Sequence, residues 1–307
     1  MHRSKPIIYI GCKTTARAAS PLVTLAASRV LTKKNFSKSP SKSEESEKTE
    51  SNIWADTNTK AMSLDEAISK ARKWVEEAEN ISALTGAGIS VDSGIPDFRS
   101  EGGLWEKYNP NEYATYDSFM RDPSKFWEMG QELAEVILDA HPNEAHRALA
   151  KLEERSKLLG IITQNIDNLH QQAGNQKVVE LHGNYLRAYC LECGKKYVGE
   201  KIQRRVVEGE IPPKCDECDG ILKSEAILFG EPLPQDAMSE AIGICRKTDL
   251  MLVIGTSLQV YPAAYLPHLA KKSDARIILV NLNGNNRKGV ADILLEGRAA
   301  DIMPRIV

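Results

Sequence analysis

Apolar residues recur at helical spacing from residue 67, where Ala67, Ala71, Trp74, Val75 and Ala78 fall on one face of a helix predicted to run to about Glu79. Ser63-Leu64-Asp65-Glu66 supplies its N-cap and capping box. The period then changes. Residues 81–84 form a short apolar run ending in Gly86-Ala87-Gly88, which reads as strand, glycine turn and helix. Similar runs at 158–162, 250–254 and 276–280 have the continuous apolar character of buried parallel strands. Each ends in small or polar residues: Thr163-Gln164-Asn165, Gly255-Thr256-Ser257 and Asn281-Leu282-Asn283. Helical patterns at 143–154, 236–245 and 263–271 lie between them. This alternation predicts an α/β fold with a doubly wound, Rossmann-like parallel sheet, whose ligand sits beyond the C-terminal strand ends. Two stretches interrupt it: the aromatic-rich, mostly helical 98–140 and the turn-rich 187–223. Both are expected to form a smaller inserted domain, giving a catalytic domain over 61–307.

Charge divides the chain. Residues 1–43 carry nine Lys/Arg and no acid, so the formal charge of -2 becomes -11 once those cations are set aside. An acidic folded region is a poor general binder of nucleic-acid phosphates and a plausible receiver of basic peptides. The basic, Ser/Ala-rich start is composed like an organellar transit peptide, and residues 37–51 are too polar to build a core. Residues 1–60 are therefore expected to be a leader and disordered linker, addressing the mitochondrial matrix before a plastid. If the segment is no address, a nuclear or cytoplasmic location stands. No apolar run is long enough to span a bilayer, so no stable membrane anchor is expected.

Four of the six cysteines form two knuckles, Cys190-x2-Cys193 and Cys215-x2-Cys218, separated by 21 residues. Four thiolates can close a tetrahedral structural zinc site with no open position; a redox dithiol or a regulatory disulfide is the alternative. Cys245, in an apolar helical stretch, reads as a buried small residue. Gly86-x-Gly88 lacks the third glycine of the dinucleotide fingerprint, which would fall at Val91, so it is either a tight turn or a cofactor cradle. Gln164, Asn165 and Asp167 crowd a strand tip, where such side chains bind ribose hydroxyls and carboxamides or cap the loop. His182 is either a packed histidine or a general base suited to neutral pH.

Taken together these stretches resemble the sirtuins. The resemblance rests on Gly86-Ala87-Gly88-Ile89-Ser90, Ser93-Gly94-Ile95-Pro96-Asp97-Phe98-Arg99-Ser100 and Thr163-Gln164-Asn165-Ile166-Asp167-Asn168-Leu169-His170. His182-Gly183, the four cysteines, Phe229-Gly230-Glu231, Gly255-Thr256-Ser257 and Asn281-Leu282-Asn283 complete it, in the family's order, from about Ala61 to Val307. The resemblance implies an NAD-dependent protein-lysine deacylase acting on acylated proteins or peptides, with one structural zinc. It places the NAD phosphates at Gly86, Ala87, Gly88 and Ser90, on a helix N-terminus. Gly255, Thr256, Ser257, Asn281, Leu282 and Asn283 would contact the adenosine half, with Ala300 near the adenine. Ala87, Ile95, Asp97, Asn165 and Asp167 would shape the nicotinamide pocket, Phe98 would screen the reacting sugar from water, and Gln164 and Arg99 would also bind the cofactor. His182, assisted by Asn165 and Asp167, would be the base. Holding the weakly nucleophilic acyl oxygen against the ribose in a dry channel can contribute ~7–11 kcal/mol through orientation. The acyl peptide would lie extended beside 228–231 and Val260.

One departure bears on the acyl group. Relatives preferring acidic acyl groups carry a Tyr-x-x-Arg pair on a helix of the first insertion; with the Arg121-Asp122-Pro123 turn aligned, Gly130 and Leu133 occupy those places. Acetyl or a longer apolar acyl is therefore expected. His141, His146 and His170 are expected to pack or cap helices, and the aromatics at 105, 108, 113, 119, 126 and 127 to form the small-domain core, a few lining an acyl tunnel. Protein ADP-ribosyl transfer on the same fold, hydride transfer, and a zinc-ribbon nucleic-acid module are the competing readings.

Overall fold

The computed structural model describes residues 62–99, 102–282 and 289–307. The leader and linker read in the sequence, and Asn283, lie outside the described residues. Among the described residues the strands are β1 (Ile81–Thr85), β2 (Leu158–Thr163), β3 (Val178–Glu180), β4 (Arg187–Cys190), β5 (Lys196–Val198), β6 (Leu222–Ser224), β7 (Leu250–Ile254), β8 (Arg276–Asn281) and β9 (Ile293–Glu296). The helices are α1 (Leu64–Glu77), α2 (Leu104–Lys107), α3 (Pro110–Tyr113), α4 (Tyr116–Arg121), α5 (Pro123–Asp139), α6 (Glu144–Glu154), α7 (Leu169–Gln172), α8 (Lys201–Val207), α9 (Gln235–Lys247), α10 (Leu266–Lys271) and α11 (Ala299–Ile306).

Six strands form one sheet in the order β3-β2-β1-β7-β8-β9, every pair parallel. The chain builds outward from β1 in one direction and from β7 in the other. The loops leaving these adjacent strands therefore diverge, and a crevice opens at their C-terminal ends. Residues alternate between the two faces. Ala83, Ile161, Leu252 and Ile278 pack under α1, α6 and α11, while Leu84, Ile162, Val253 and Leu279 pack under α9 and α10. Being covered on both sides, β1 and β7 are buried at every position, which is why they read as unbroken apolar runs. Ser63 caps α1 with the reciprocal Glu66 bond of a capping box.

The second core lies outside this sheet. Strands β5-β4-β6 make a small antiparallel sheet next to α8. Helices α4 and α5 bring Phe119, Phe126, Trp127, Met129 and Leu133 against Tyr185, Ile202, Val206 and Leu222. Trp127 Nε1 donates to the Leu222 carbonyl at 3.0 Å, and Gln131 to that of Val207 at 3.1 Å, binding the helical insertion to the cysteine-bearing one. Of the six aromatics read as core, Phe119, Phe126 and Trp127 are buried; Trp105, Tyr108 and Tyr113 are only partly covered. No described helix is long and apolar enough to cross a membrane.

Candidate active site

Glycine chemistry sets the crevice floor. A Cβ on Gly88 would lie 2.8 Å from Gly255 Cα, and one on Gly255 would lie 2.2 Å from the Ile89 nitrogen. Gly255 also adopts φ of 60°, a left-handed conformation that glycine takes without strain. The β1 and β7 loops thus touch backbone to backbone, with the Gly88 N–H donating to the Gly255 carbonyl at 2.8 Å and the Gly86 N–H to Ile254 at 3.1 Å. The helix expected after the glycine turn is not there. Two short 3-10 turns, Ala87–Ile89 and Val91–Ser93, follow instead. The close backbone approach at this floor is completed by Gly255, just past the end of β7.

Above that floor lies a polar cluster. The Ser90 hydroxyl, 1% exposed, donates to Asp167 Oδ2 at 2.7 Å and accepts from Asn165 Nδ2 at 3.1 Å. Asp167 Oδ1 accepts the Leu169 N–H at 3.0 Å, so the same carboxylate also caps the turn into α7. Burial pushes the Asp167 carboxyl up from its ordinary value; the Leu169 and Ser90 donors oppose this. Beneath, Thr85 Oγ1 meets Thr163 Oγ1 and His170 Nε2, both at 2.9 Å, and Thr163 Oγ1 accepts the Asn165 N–H. His170 packs edge-on to His146 with ring centres 4.9 Å apart. Both rings support the site from below and touch none of its cavity. Gln164 bridges the halves: its side chain donates to Thr256 Oγ1 at 2.9 Å, and its carbonyl faces His182.

His182 Nδ1 lies 2.9 Å from the Gln164 carbonyl. A carbonyl only accepts, so Nδ1 carries the proton and Nε2 keeps its lone pair. Burial holds the imidazole below its ordinary pKa, against the raising effect of that carbonyl. At neutral pH the ring is a neutral base with a fixed tautomer. Its loop is equally fixed: a Cβ on Gly183 would lie 2.0 Å from the Glu225 carbonyl oxygen, and the His182 carbonyl accepts the Ile227 N–H.

One cavity of about 840 Å³ joins these groups, within the ~300–1,000 Å³ usual for small-molecule sites. Gly86, Ala87, Gly88, Ser90, Ile95, Asp97, Phe98 and Arg99 line it from the β1 side, and Gln164, Asn165, Asp167 and His182 from the β2 and β3 tips. Gly255, Thr256, Ser257 and Asn281 close the β7 and β8 side. Leu282, 60% exposed, and Ala300, at the start of α11, are not on its wall. The cavity continues into an apolar arm walled by Phe126, Met129, Gly130, Leu133, Ile137, Ile166 and Tyr185. Tyr185 had no signal in the sequence; it is fully buried, and its hydroxyl donates to the Gly130 carbonyl at 2.8 Å. Phe98, Trp105 and Phe229 stack in sequence, 5.1 and 6.3 Å between centres, along the same wall. Segment 228–231 has few free backbone donors: Phe229 already exchanges bonds with Ala114 and Tyr116, and the Leu228 N–H donates to Glu231.

In the small sheet the sulfurs of Cys190, Cys193, Cys215 and Cys218 lie within 4.8 Å of one another, with Cys190–Cys218 at 3.4 Å and Cys193–Cys215 at 3.6 Å. A tetrahedron with ~2.3 Å metal–sulfur arms has edges of about 3.8 Å, so the donor set fits one zinc ion. The Tyr197 hydroxyl, 3.2 Å from Cys215 Sγ, lowers that thiol to about 6, towards the thiolate a metal requires. The four sulfurs would fill the coordination sphere, and the site is structural.

A model of the Sir2 family matches residues 86–262, more than half of the chain. The protein belongs to the Sir2 family. The NAD-dependent protein deacylase 2 of Pyrobaculum aerophilum is 47% identical over 224 residues, covering 73% of this chain and 88% of the relative. A Sir2–p53 peptide–NAD+ structure superposes with TM-score 0.71 at 40% identity, covering 78% of this chain and 96% of that one. Sir2Af2 bound to a myristoylated histone peptide gives TM-score 0.68 at 36% identity, covering 79% and 95%. The Sir2-family fold is thus the six-stranded parallel sheet, and its inserted lobe carries the cysteine cluster.

Proposed function

We propose that this chain is an NAD-dependent protein-lysine deacylase that removes uncharged, apolar acyl groups and releases nicotinamide. The observation that carries this reading is the position of His182. Its fixed, neutral imidazole lines one continuous cavity with a polar crevice at the strand tips and an apolar arm along α5. NAD, when bound, supplies a ribose carbon that gives up nicotinamide and accepts the acyl oxygen. Thr256, Ser257 and Asn281 are positioned to hold its adenosine half, and Ala87, Ile95, Asp97, Asn165 and Asp167 its nicotinamide half. Asn165 and Asp167, tied through Ser90, keep that wall rigid. Phe98, stacked on Trp105, excludes water from the reacting sugar. His182 Nε2 takes the proton from the ribose hydroxyl that attacks the acyl carbon.

The apolar arm speaks for acetyl or a longer hydrocarbon chain. Arg99 is the one Lys or Arg among the described residues of the cavity wall, and it stands exposed on the 97–99 loop rather than on α5. A succinyl or malonyl carboxylate would be buried there without a partner, which is costly. The composition of residues 1–43 supports a mitochondrial matrix address, tested by import of a reporter fused to residues 1–60 with and without the nine cations of residues 1–43.

The decisive assay is nicotinamide release from NAD with acetyl-, myristoyl- and succinyl-lysine peptides, for wild type and His182→Ala. Release that depends on an apolar acyl peptide and collapses in the variant supports the reading. Release without peptide, or an active variant, refutes it. Labelled NAD separates the two transfer chemistries, because ADP-ribosyl transfer alone leaves label on protein.

A further inference from the structure

Lys223 lies in the middle of β6 with its side chain 2% exposed, in the sheet that carries the cysteines. Its ammonium has three donors, and each finds an acceptor on the segment that follows. The Ser224 carbonyl is at 3.0 Å, the Ala226 carbonyl at 3.1 Å and Glu231 Oε2 at 3.0 Å. Glu231 Oε2 also accepts the Leu228 N–H at 2.7 Å, and the Glu231 N–H returns to the Leu228 carbonyl. Residues 224–231 are thus folded around one buried cation. Every residue from 226 to 231 lines the cavity, whose wall also includes Val260 and Tyr261. Ile227 holds the His182 carbonyl, and Phe229 bonds to Ala114 and Tyr116.

We infer that Lys223 is a positioning residue for the acylated peptide: its ammonium, through Glu231, sets the shape of the 226–231 wall against which the substrate strand lies. Glu231 lines the cavity as well, with its Oε2 held by Lys223 and the Leu228 N–H. Burial disfavours an ammonium unless its partners offset the lost water, and here two of its three acceptors, the Ala226 carbonyl and Glu231, belong to the segment that lines the cavity. A lysine serving only to stabilise the small sheet would bond within that sheet. Besides the Ser224 carbonyl at the end of β6 and the Tyr189 ring of β4, 5.8 Å away, two of its three bonds, to Ala226 and Glu231, reach the chain that leaves the sheet, so the small sheet is tied to the peptide cleft through this side chain. Neither the strand tips nor Asn281 touches Lys223, so the NAD crevice is expected to be indifferent to its removal.

The inference rests on the deacylase reading, so turnover of acetyl-lysine peptide by the wild-type chain is measured first; failure there refutes the function and not Lys223. Lys223→Met and Lys223→Arg are then compared for peptide KM, kcat, ADP-ribose Kd by calorimetry and zinc per chain. Lys223→Met is expected to raise peptide KM at least tenfold with ADP-ribose Kd within twofold, and Lys223→Arg to recover most of the KM. A folded Lys223→Met with wild-type KM, a parallel loss of ADP-ribose binding, or an Arg variant as poor as Met overturns it. Should Lys223→Met not fold, Glu231→Gln decides, with a raised peptide KM expected and an unchanged one contradicting the proposal.

Discussion

Replacing Gly130 by alanine sets two opposing effects against each other at the wall of the apolar arm. In the interior of α5 the change should gain about 1 kcal/mol of helix propensity. The added methyl, however, would lie 2.5 Å from the Tyr185 hydroxyl. That ring cannot swing aside: it is fully buried, with Phe126 and Trp127 ring centres 6.4 and 6.1 Å away. Overpacking should cost about 1–3 kcal/mol, and displacing the hydroxyl from the Gly130 carbonyl about 1–3 kcal/mol more. The loss outweighs the gain, and Gly130→Ala should destabilise by about 3 kcal/mol. Tyr185→Phe removes the clashing oxygen and leaves ring carbon at 3.4 Å, an ordinary contact. In that background Gly130→Ala should be neutral within about 1 kcal/mol, because the propensity gain then meets little resistance. Urea unfolding of the four proteins completes the cycle. Equal costs in both backgrounds, or a stabilised single variant, would refute the steric account. In the wild-type background the methyl should also lower kcat/KM for a myristoyl peptide more than for an acetyl one.

Three further outcomes follow from the site. Because burial lowers the His182 pKa and the neutral ring is the base, kcat/KM should hold from pH 8 down to 6.5 and decline only below it; an acid limb centred above 6.5 would contradict this. His146 is depressed to about 4 by burial, so the unfolded state takes up a proton first as pH falls through 6.5. Its contribution is intact above pH 6.5 and is lost towards pH 4. Relative to His146→Gln, which keeps the capping acceptor for Asn143, wild type should lose about 3 kcal/mol more over that interval by urea unfolding at each pH. Chelation, or Cys215→Ser, should remove one zinc per chain and lower the melting temperature; a metal-free protein with an unchanged melt would refute the zinc assignment.

How far the sequence reveals this molecule depends on the distance over which each feature is decided. The strands beneath the site are covered on both faces, so their buried runs carry their own signature, and the glycine turn after β1 and the polar tips of β2, β7 and β8 follow from them. The cysteine cluster is equally legible, since two knuckles encode it locally. The last strand and helix, β9 and α11, escaped notice. Ile293–Glu296 is only four residues long, and Pro304 sits inside the final helix, where a proline normally argues against one.

Features decided between distant segments are the least visible. Ser90 sits in a turn, yet its bond to Asp167 spans 77 positions and ties the loop after β1 to the loop after β2. Gly88 and Gly255 belong to different motifs and are required by each other's backbone. Tyr185 and Lys223 carry no motif at all. One is an apolar-looking tyrosine 55 residues from the carbonyl it binds, the other a lysine in a strand that a composition-based reading would place in water. Motifs therefore reveal the groups that touch substrate, because the chemistry constrains their types. The groups that shape the wall behind them are constrained only by partners, and those become known when the fold brings the partners together.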